Sequence, residues 1–515
     1  MNRLIFRPAL ALTAGVAAVS LAACGAGNGG GASASGTKAV TVAFNSDAAP
    51  NGYDPQLYAQ GQFTFFSSMY DALFVTGTDG KVTPSLVTDF KNNAANTQLT
   101  LTLKDGVSFT DGSKLDSSLV KKNLDQRSNS KLLINGTLGK GGSQEIKDVA
   151  APDPKTVVIT WAQPQASGQD ALADTSGIIV GANAVEKRDS LATAPDGSGP
   201  YTLDTGKTTK GSTYQVVKNA KAWSAKDWAF DTIVYKVITD PQALANAVVS
   251  GQADVAWQLD QSTVALVDSK QKTTKIGGVI VGWPVFDKLG KTNPAFKDPN
   301  VRLALSYGID RQAMVKDLHP ASKATAQLFP SGSAGFDESL NAKYAYDPEK
   351  AKQLLATAGY PNLSIDLTVG GQPTPDQLAI QNQWKKIGVT LKFHSATSTD
   401  QVFAAVTTQP LGFGPFSVGS NPAGFVAGVV VGGFMNLQKA TDPAIQGALG
   451  KALGASGAAQ SSALKDLNAA ITDGGWYIPV YEDFTYAGYN AKKVAAPSWA
   501  GTNNYLVLHS LKASS

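Results

Sequence analysis

The chain has one cysteine and three histidines in 515 residues. A single thiol cannot close an intramolecular disulfide, and His319, His394 and His509 lie in separate segments without metal-ligand spacing. No serine sits in a Gly-x-Ser-x-Gly elbow, and the glycine-rich stretch Gly136 to Gly142 lacks the Gly-Lys-Ser/Thr ending of a phosphate loop. Nothing singles out a catalytic pair among the 40 acidic residues. We therefore read no catalytic site, no metal site and no cofactor. Charge of one sign is also missing: 44 basic residues face 40 acidic ones without a basic block, which argues against a nucleic-acid partner. Beyond the N-terminus, the longest apolar run is Ala423 to Met435, AGFVAGVVVGGFM. It falls short of the roughly 20 residues that a membrane span needs, and reads as buried core or pocket wall.

What is present begins with an address. Arg3 and Arg7 precede an apolar, alanine-rich run from Pro8 to Ala23, the charged-then-apolar order of a secretory signal peptide. The run closes on Leu21-Ala22-Ala23-Cys24-Gly25, which resembles a bacterial lipobox. Residues 1–23 are the expected signal peptide and Cys24 the expected lipidation site. Two or more acyl chains there would hold the mature chain stably on the outer face of the cell membrane. Residues 24–38, glycine-rich and without large apolar side chains, read as a flexible tether. Some 475 residues then remain, on the order of two or more domains.

Along that body, helical and strand patterns alternate without an internal repeat. Strands are expected at Val40 to Phe44, Leu99 to Leu103, Val157 to Trp161, Tyr214 to Val217, Ile233 to Ile238, Ala253 to Trp257, Ser364 to Val369 and Val389 to Phe393. Short ones are expected at Ile478 to Tyr481 and Tyr486 to Tyr489. A helix-like stretch runs from Phe63 to Leu73, and Asp116 or Ser117 caps the next. Further helices are expected at Pro241 to Val249, Pro299 to Tyr307, Asp310 to Asp317, Pro348 to Ala358 and Pro375 to Ile387, with proline in the first turn of four of them. The mixture is an α/β pattern.

A spread of short motifs resembles the extracellular solute-binding proteins of the peptide and nickel import family, family 5. They are Tyr70-Asp71-Ala72-Leu73 with Asp79 to Leu86, the hairpin Leu103 to Gly112, Gly197-Ser198-Gly199-Pro200-Tyr201, Asn219 to Trp223 and the turn Ser250 to Asp254. Asp298 to Leu305 with Ile309-Asp310-Arg311, and Tyr346 to Leu355 with Gly359-Tyr360, complete the set. Taken singly, most of these residues read as turns and helix caps. The resemblance implies a two-lobed, periplasmic-binding-protein-like fold of type II, cluster C. Lobe I would take 39–265 plus 476–512, with an extra subdomain at 81–185, and lobe II 275–470. It implies no enzyme. The expected protein is a monomeric receptor that captures a peptide or peptide-like polar solute between its lobes and delivers it to an ABC permease driven by a cytosolic ATPase. An extracellular hydrolase or a sensory lipoprotein on the same scaffold remain the alternatives.

The candidate ligand-binding residues are Tyr53, Trp257, Trp283, Phe413, Phe416, Ser417, Ser420 and Asn421. The tryptophans fall near the expected first crossing between lobes, where a flat amphipathic ring covers a solute at low entropic cost. Many peptide-binding relatives place an acidic pair before a proline where this chain reads Phe416-Ser417-Val418-Gly419-Ser420-Asn421-Pro422. With no carboxylate there, either another acid, such as Asp260, pairs with a ligand amine or the ligand is not an ordinary free peptide.

Overall fold

Proline and aspartate set the helix starts. Asp240, Asp298 and Asp347 cap the helices Pro241–Val249, Pro299–Tyr307 and Pro348–Thr357, each accepting a backbone N–H from the first turn, with proline already locked in helical φ behind them. Asp116 does the same for Ser117–Ser128, and Asp310 for Arg311–Leu318. The computed structural model that shows these elements describes residues 38–514, except 59, 133, 134, 136, 143, 398, 420 and 502–504. The expected signal peptide, Cys24 and nearly all of the tether lie outside the described residues, as does Ser420. Among the described residues no helix is long and apolar enough to cross a membrane.

The largest sheet has nine strands. At its centre Ala39–Phe44 pairs in parallel with both Thr232–Val237 and Val255–Leu259, and Thr213–Lys218 and Tyr201–Leu203 extend one side. On the other side run two strands of 13 residues each, Lys272–Pro284 and Tyr477–Tyr489, antiparallel to one another. A separate antiparallel sheet of four strands, Val87–Asn92, Gln98–Leu103, Thr156–Trp161 and Ile146–Asp153, packs with the Ser117–Ser128 helix. Leu363–Gly370 and Val389–Ala396 form a parallel pair joined through the Pro375–Lys385 helix, the expected βαβ unit.

The apolar cores divide into two lobes. Phe44, Leu99, Ile159, Tyr235 and Leu506 belong to one, continuous through the four-stranded sheet, with Leu244 and Val248 in a satellite behind the nine-stranded sheet. Trp283, Leu305, Trp384 and Val480 belong to the other, beside a cluster containing Phe329, Val430 and Tyr477. The long strands pass between them: Ile276 and Ala487 pack in the first lobe, Val281 and Tyr481 in the second. The strand Tyr477–Tyr489 thus begins in the second lobe's core and ends in the first.

Two elements differ from the reading of the sequence. The stretch after Phe63 is helical only over Phe63–Phe66. The carbonyls of Ser68 and Met69 instead accept the N–H groups of Tyr201 and Gly199, so their bonds go to another segment rather than along a helix. The two short C-terminal strands are one strand through Glu482 and Asp483, polar residues that interrupt the apolar pattern but pair across to Ile280 and Val279.

Candidate functional site

The Val255–Leu259 strand carries a bulge between Ala256 and Leu259, and there Gln258 adopts φ +60. A left-handed non-glycine residue costs on the order of 1–3 kcal/mol and is held only where its surroundings fix it. Gln258 lines a cavity of about 440 Å³ between the lobes. Asp174, at φ +55 and wholly buried, lies behind the same wall, its carboxylate accepting the Thr76 backbone N–H at 2.8 Å and hydroxyl at 2.6 Å.

The first lobe supplies the cavity's charged groups. Arg127, near the end of the Ser117–Ser128 helix, is buried and donates to Asn135 Oδ1 at 2.8 Å and to the Thr175 carbonyl at 3.0 Å. Burial pulls its pKa down to about 10, so it stays charged at neutral pH. Asp170 lies on the short helical turn Gly168–Leu172; burial first, then the charge of Asp174, pushes its carboxyl up to about 7. The second lobe adds Ser417, Asn421, Phe425 and Val429, none of them charged. Asn421 also caps the Pro422–Phe425 turn, its Oδ1 accepting the Gly424 N–H at 2.8 Å. A further cavity of about 360 Å³ shares the walls Asp170, Gly419 and Asn421. At the rim the lobes touch: Ala166 N–H donates to the Leu453 carbonyl at 3.0 Å, and Gln460 Nε2 to Ser167 Oγ at 3.2 Å.

Of the residues singled out from sequence, Ser417 and Asn421 line this cavity. Tyr53, Trp257, Trp283, Phe413 and Phe416 lie elsewhere. Tyr53 is buried in the first lobe's core beside Phe65 and Tyr214, and Trp257 packs edge-on against Phe44. Trp283, fully buried against Trp384 and Phe413, lines with Phe413 and Phe416 a separate apolar pocket of about 230 Å³ in the second lobe. Asp260 caps the turn Gln261–Thr263, its Oδ1 accepting the Ser262 N–H at 2.8 Å, and is not among the cavity residues. Arg127, Asp170 and Gln258 were not found from sequence. An arginine in the last turn of a helix and an aspartate in a short helical turn carry no pattern of their own; a glutamine directly after an expected alternating strand is the one trace that could have been followed.

Among the described residues no group of histidine, cysteine, aspartate and glutamate could hold a metal ion. His319 is bonded to Asp376 at 2.6 Å and stacked on Tyr481, and His394 is bonded to Asp366 at 2.8 Å. The site can bind and enclose a solute, and its charged groups can orient one.

Comparison with known proteins agrees. Residues 81–423 match the model of the bacterial extracellular solute-binding proteins, family 5. The glutathione-binding protein GsiB of Salmonella typhimurium is 31% identical over 298 residues, 57% of this chain and 56% of the relative, so the match spans just over half the length of either protein. The dipeptide-binding protein of Pseudoalteromonas sp. SM9913, solved with Met-Leu, superposes with a TM-score of 0.74 at 16% identity, covering 93% of this chain and 100% of that one. NikA of Brucella suis, solved with Fe(III)-EDTA, gives 0.75 at 20% identity over 92% and 100%. These likenesses show the type II periplasmic-binding-protein fold, whose members here are binding proteins rather than enzymes. The chain belongs to the bacterial extracellular solute-binding proteins of family 5.

Proposed function

We propose that this chain is the receptor of an ABC importer, held on the membrane by acylated Cys24, which encloses a peptide-like polar solute between its lobes and presents it to the permease. Lobe I would comprise about 39–265 and 476–512, with the subdomain at 81–185, and lobe II about 275–470. The observation that carries this reading is the cavity itself: about 440 Å³, inside the range of roughly 300–1,000 Å³ usual for small-molecule sites, walled by both lobes. It contains charged and hydrogen-bonding groups but no set of groups arranged for catalysis. The relatives named for glutathione and for a dipeptide favour a peptide-like solute.

Native mass spectrometry of the chain purified from its own cells tests it. The expected result is one small, polar, non-covalent solute that dissociates on unfolding, together with a diacyl or triacyl mass on Cys24. A permease-reconstituted vesicle should then accumulate that solute only when the receptor is added. Uptake independent of the receptor would overturn the reading.

A further inference from the structure

Resting on the reading of the interlobe cavity as the solute site, we infer that the solute is a zwitterion gripped at both ends by lobe I. Its carboxylate sits on Arg127 and its ammonium on Asp170, while lobe II closes over it with uncharged groups only.

Arg127 is buried, yet it makes no ion pair among the described residues; it donates to an amide oxygen and a carbonyl. Asp54, the acid whose charge acts on it, is already held in a two-pronged pair by Arg188, at 2.7 and 2.8 Å. A guanidinium offers five donors in a planar fork, so donors remain beyond those two bonds for a ligand carboxylate. Asp170 has no side-chain hydrogen bond or ion pair among the described residues, although it forms part of both cavity walls. The two groups do not neutralise each other either. Asp54 and Arg188 are the charges that act on Arg127, and Asp174 the one that acts on Asp170.

Each charge thus lacks a counterion that the solute can bring, and a half-matched solute leaves one of them buried and unpaired. An anion would satisfy Arg127 and be repelled by Asp170. A cation would do the reverse, and a neutral sugar would answer neither. The complementary solute carries a carboxylate and an amine, as a free peptide does, or an opine that retains both. The stretch from Phe416 to Pro422 contains no acid, so on this inference the ammonium's partner stands on the opposite lobe.

The test is calorimetry and thermal melting of the mature chain with Met-Leu and glutathione as zwitterions, N-acetyl-Met-Leu and Met-Leu amide as singly blocked forms, and sucrose as a neutral solute. The expected result is binding of at least one zwitterion, with Met-Leu, if bound, weakened about 100-fold by blocking either end. Asp170→Asn should lose the discrimination against the acetyl group but keep that against the amide. Arg127→Lys, if it folds by circular dichroism, should do the converse; Asp170→Asn decides the matter alone if it does not. Wild-type protein that binds N-acetyl-Met-Leu or sucrose as tightly as either zwitterion would overturn the inference and leave solute binding standing. No response to any of the five would count against the solute-binding reading as well.

Discussion

At the scale of single residues, ionisation of Asp170 would give the proposed solute site a pH dependence. Burial and Asp174 raise its carboxyl to about 7, and Arg127 and Asp79 are the other charged groups lining the cavities it faces. A folded-state pKa above the unfolded value of about 3.9 means that the unliganded fold is favoured by protonation, fully below about pH 4, and that this is lost as pH rises through 7. Binding an ammonium needs the ionised form. Affinity for an amine-bearing solute should therefore climb by nearly tenfold per pH unit between 5 and 6, then flatten above about 7, and binding at pH 6.5 should release a proton. Titration calorimetry in buffers of different ionisation enthalpy reads both, and Asp170→Asn should abolish both. Asn421 offers the opposite manipulation. Aspartate caps as well as asparagine, so Asn421→Asp should keep the melting temperature within about 2 °C while adding a charge to the lobe II wall. A tenfold or greater change in affinity, measured by calorimetry, is the expected outcome; an unchanged affinity would remove Asn421 from the site.

At the scale of elements, the motifs legible in the sequence are bound mainly to one another, and among the described residues Asp79 and Gly80 alone of them line either interlobe cavity. Asp71 accepts the Ser198 hydroxyl and the Trp223 indole N–H, each at 2.8 Å, so three separate motifs meet on one buried carboxylate. Arg311 donates to the carbonyls of Ser306, Tyr344 and Pro479, tying the Ile309-Asp310-Arg311 motif to a crossing strand. This is why the fold could be read: caps, turns and junctions demand particular residue types at particular spacings, and these recur. The cavity wall makes no such local demand. Arg127, Asp170 and Gln258 come from three segments joined only by tertiary packing, and the tryptophans chosen for their chemistry went into cores because large apolar rings bury most area there. Asp71→Ala would strand the Trp223 and Ser198 donors and should cost about 2–4 kcal/mol of stability in urea, with solute affinity unchanged in the folded protein. Glycines separate similarly by element. A Cβ at Gly278 would overlap the buried Glu482 carboxylate, itself held by the Ser331 hydroxyl at 2.7 Å, whereas one at Gly447, in the helix Pro443–Gly454, meets nothing. Gly278→Ala should destabilise by about 1–3 kcal/mol and Gly447→Ala should stabilise by about 0.5–1 kcal/mol, both read by urea unfolding.

At the scale of the whole molecule, the lobes share two long strands and a small rim contact, so the balance between open and closed forms can shift without cost to either core. The strands change register between Lys275 and Gly278, where the ladder loosens, and Glu482 lies beneath Gly278. Among the described residues the rim contact includes two hydrogen bonds, from Ala166 to Leu453 and from Gln460 to Ser167. A hydrogen bond of this kind contributes about 0.5–1.5 kcal/mol net, enough to shift a two-state closure two- to tenfold. If charge capture belongs to lobe I and closure to the rim, the two steps should respond to different changes. Raising salt from 50 to 500 mM screens the steering of a charged solute and should slow association. Gln460→Ala should leave association unchanged and raise the dissociation rate two- to tenfold, because its bond to Ser167 crosses the lobes while its longer bond to the Ala452 carbonyl, at 3.4 Å, stays within lobe II. Stopped-flow fluorescence measures both rates, and small-angle scattering should show that ligand compacts the variant less completely than the wild type. An effect of Gln460→Ala confined to the association rate would mean that the rim governs entry instead, and that closure is driven from within the cavity by Ser417 and Asn421.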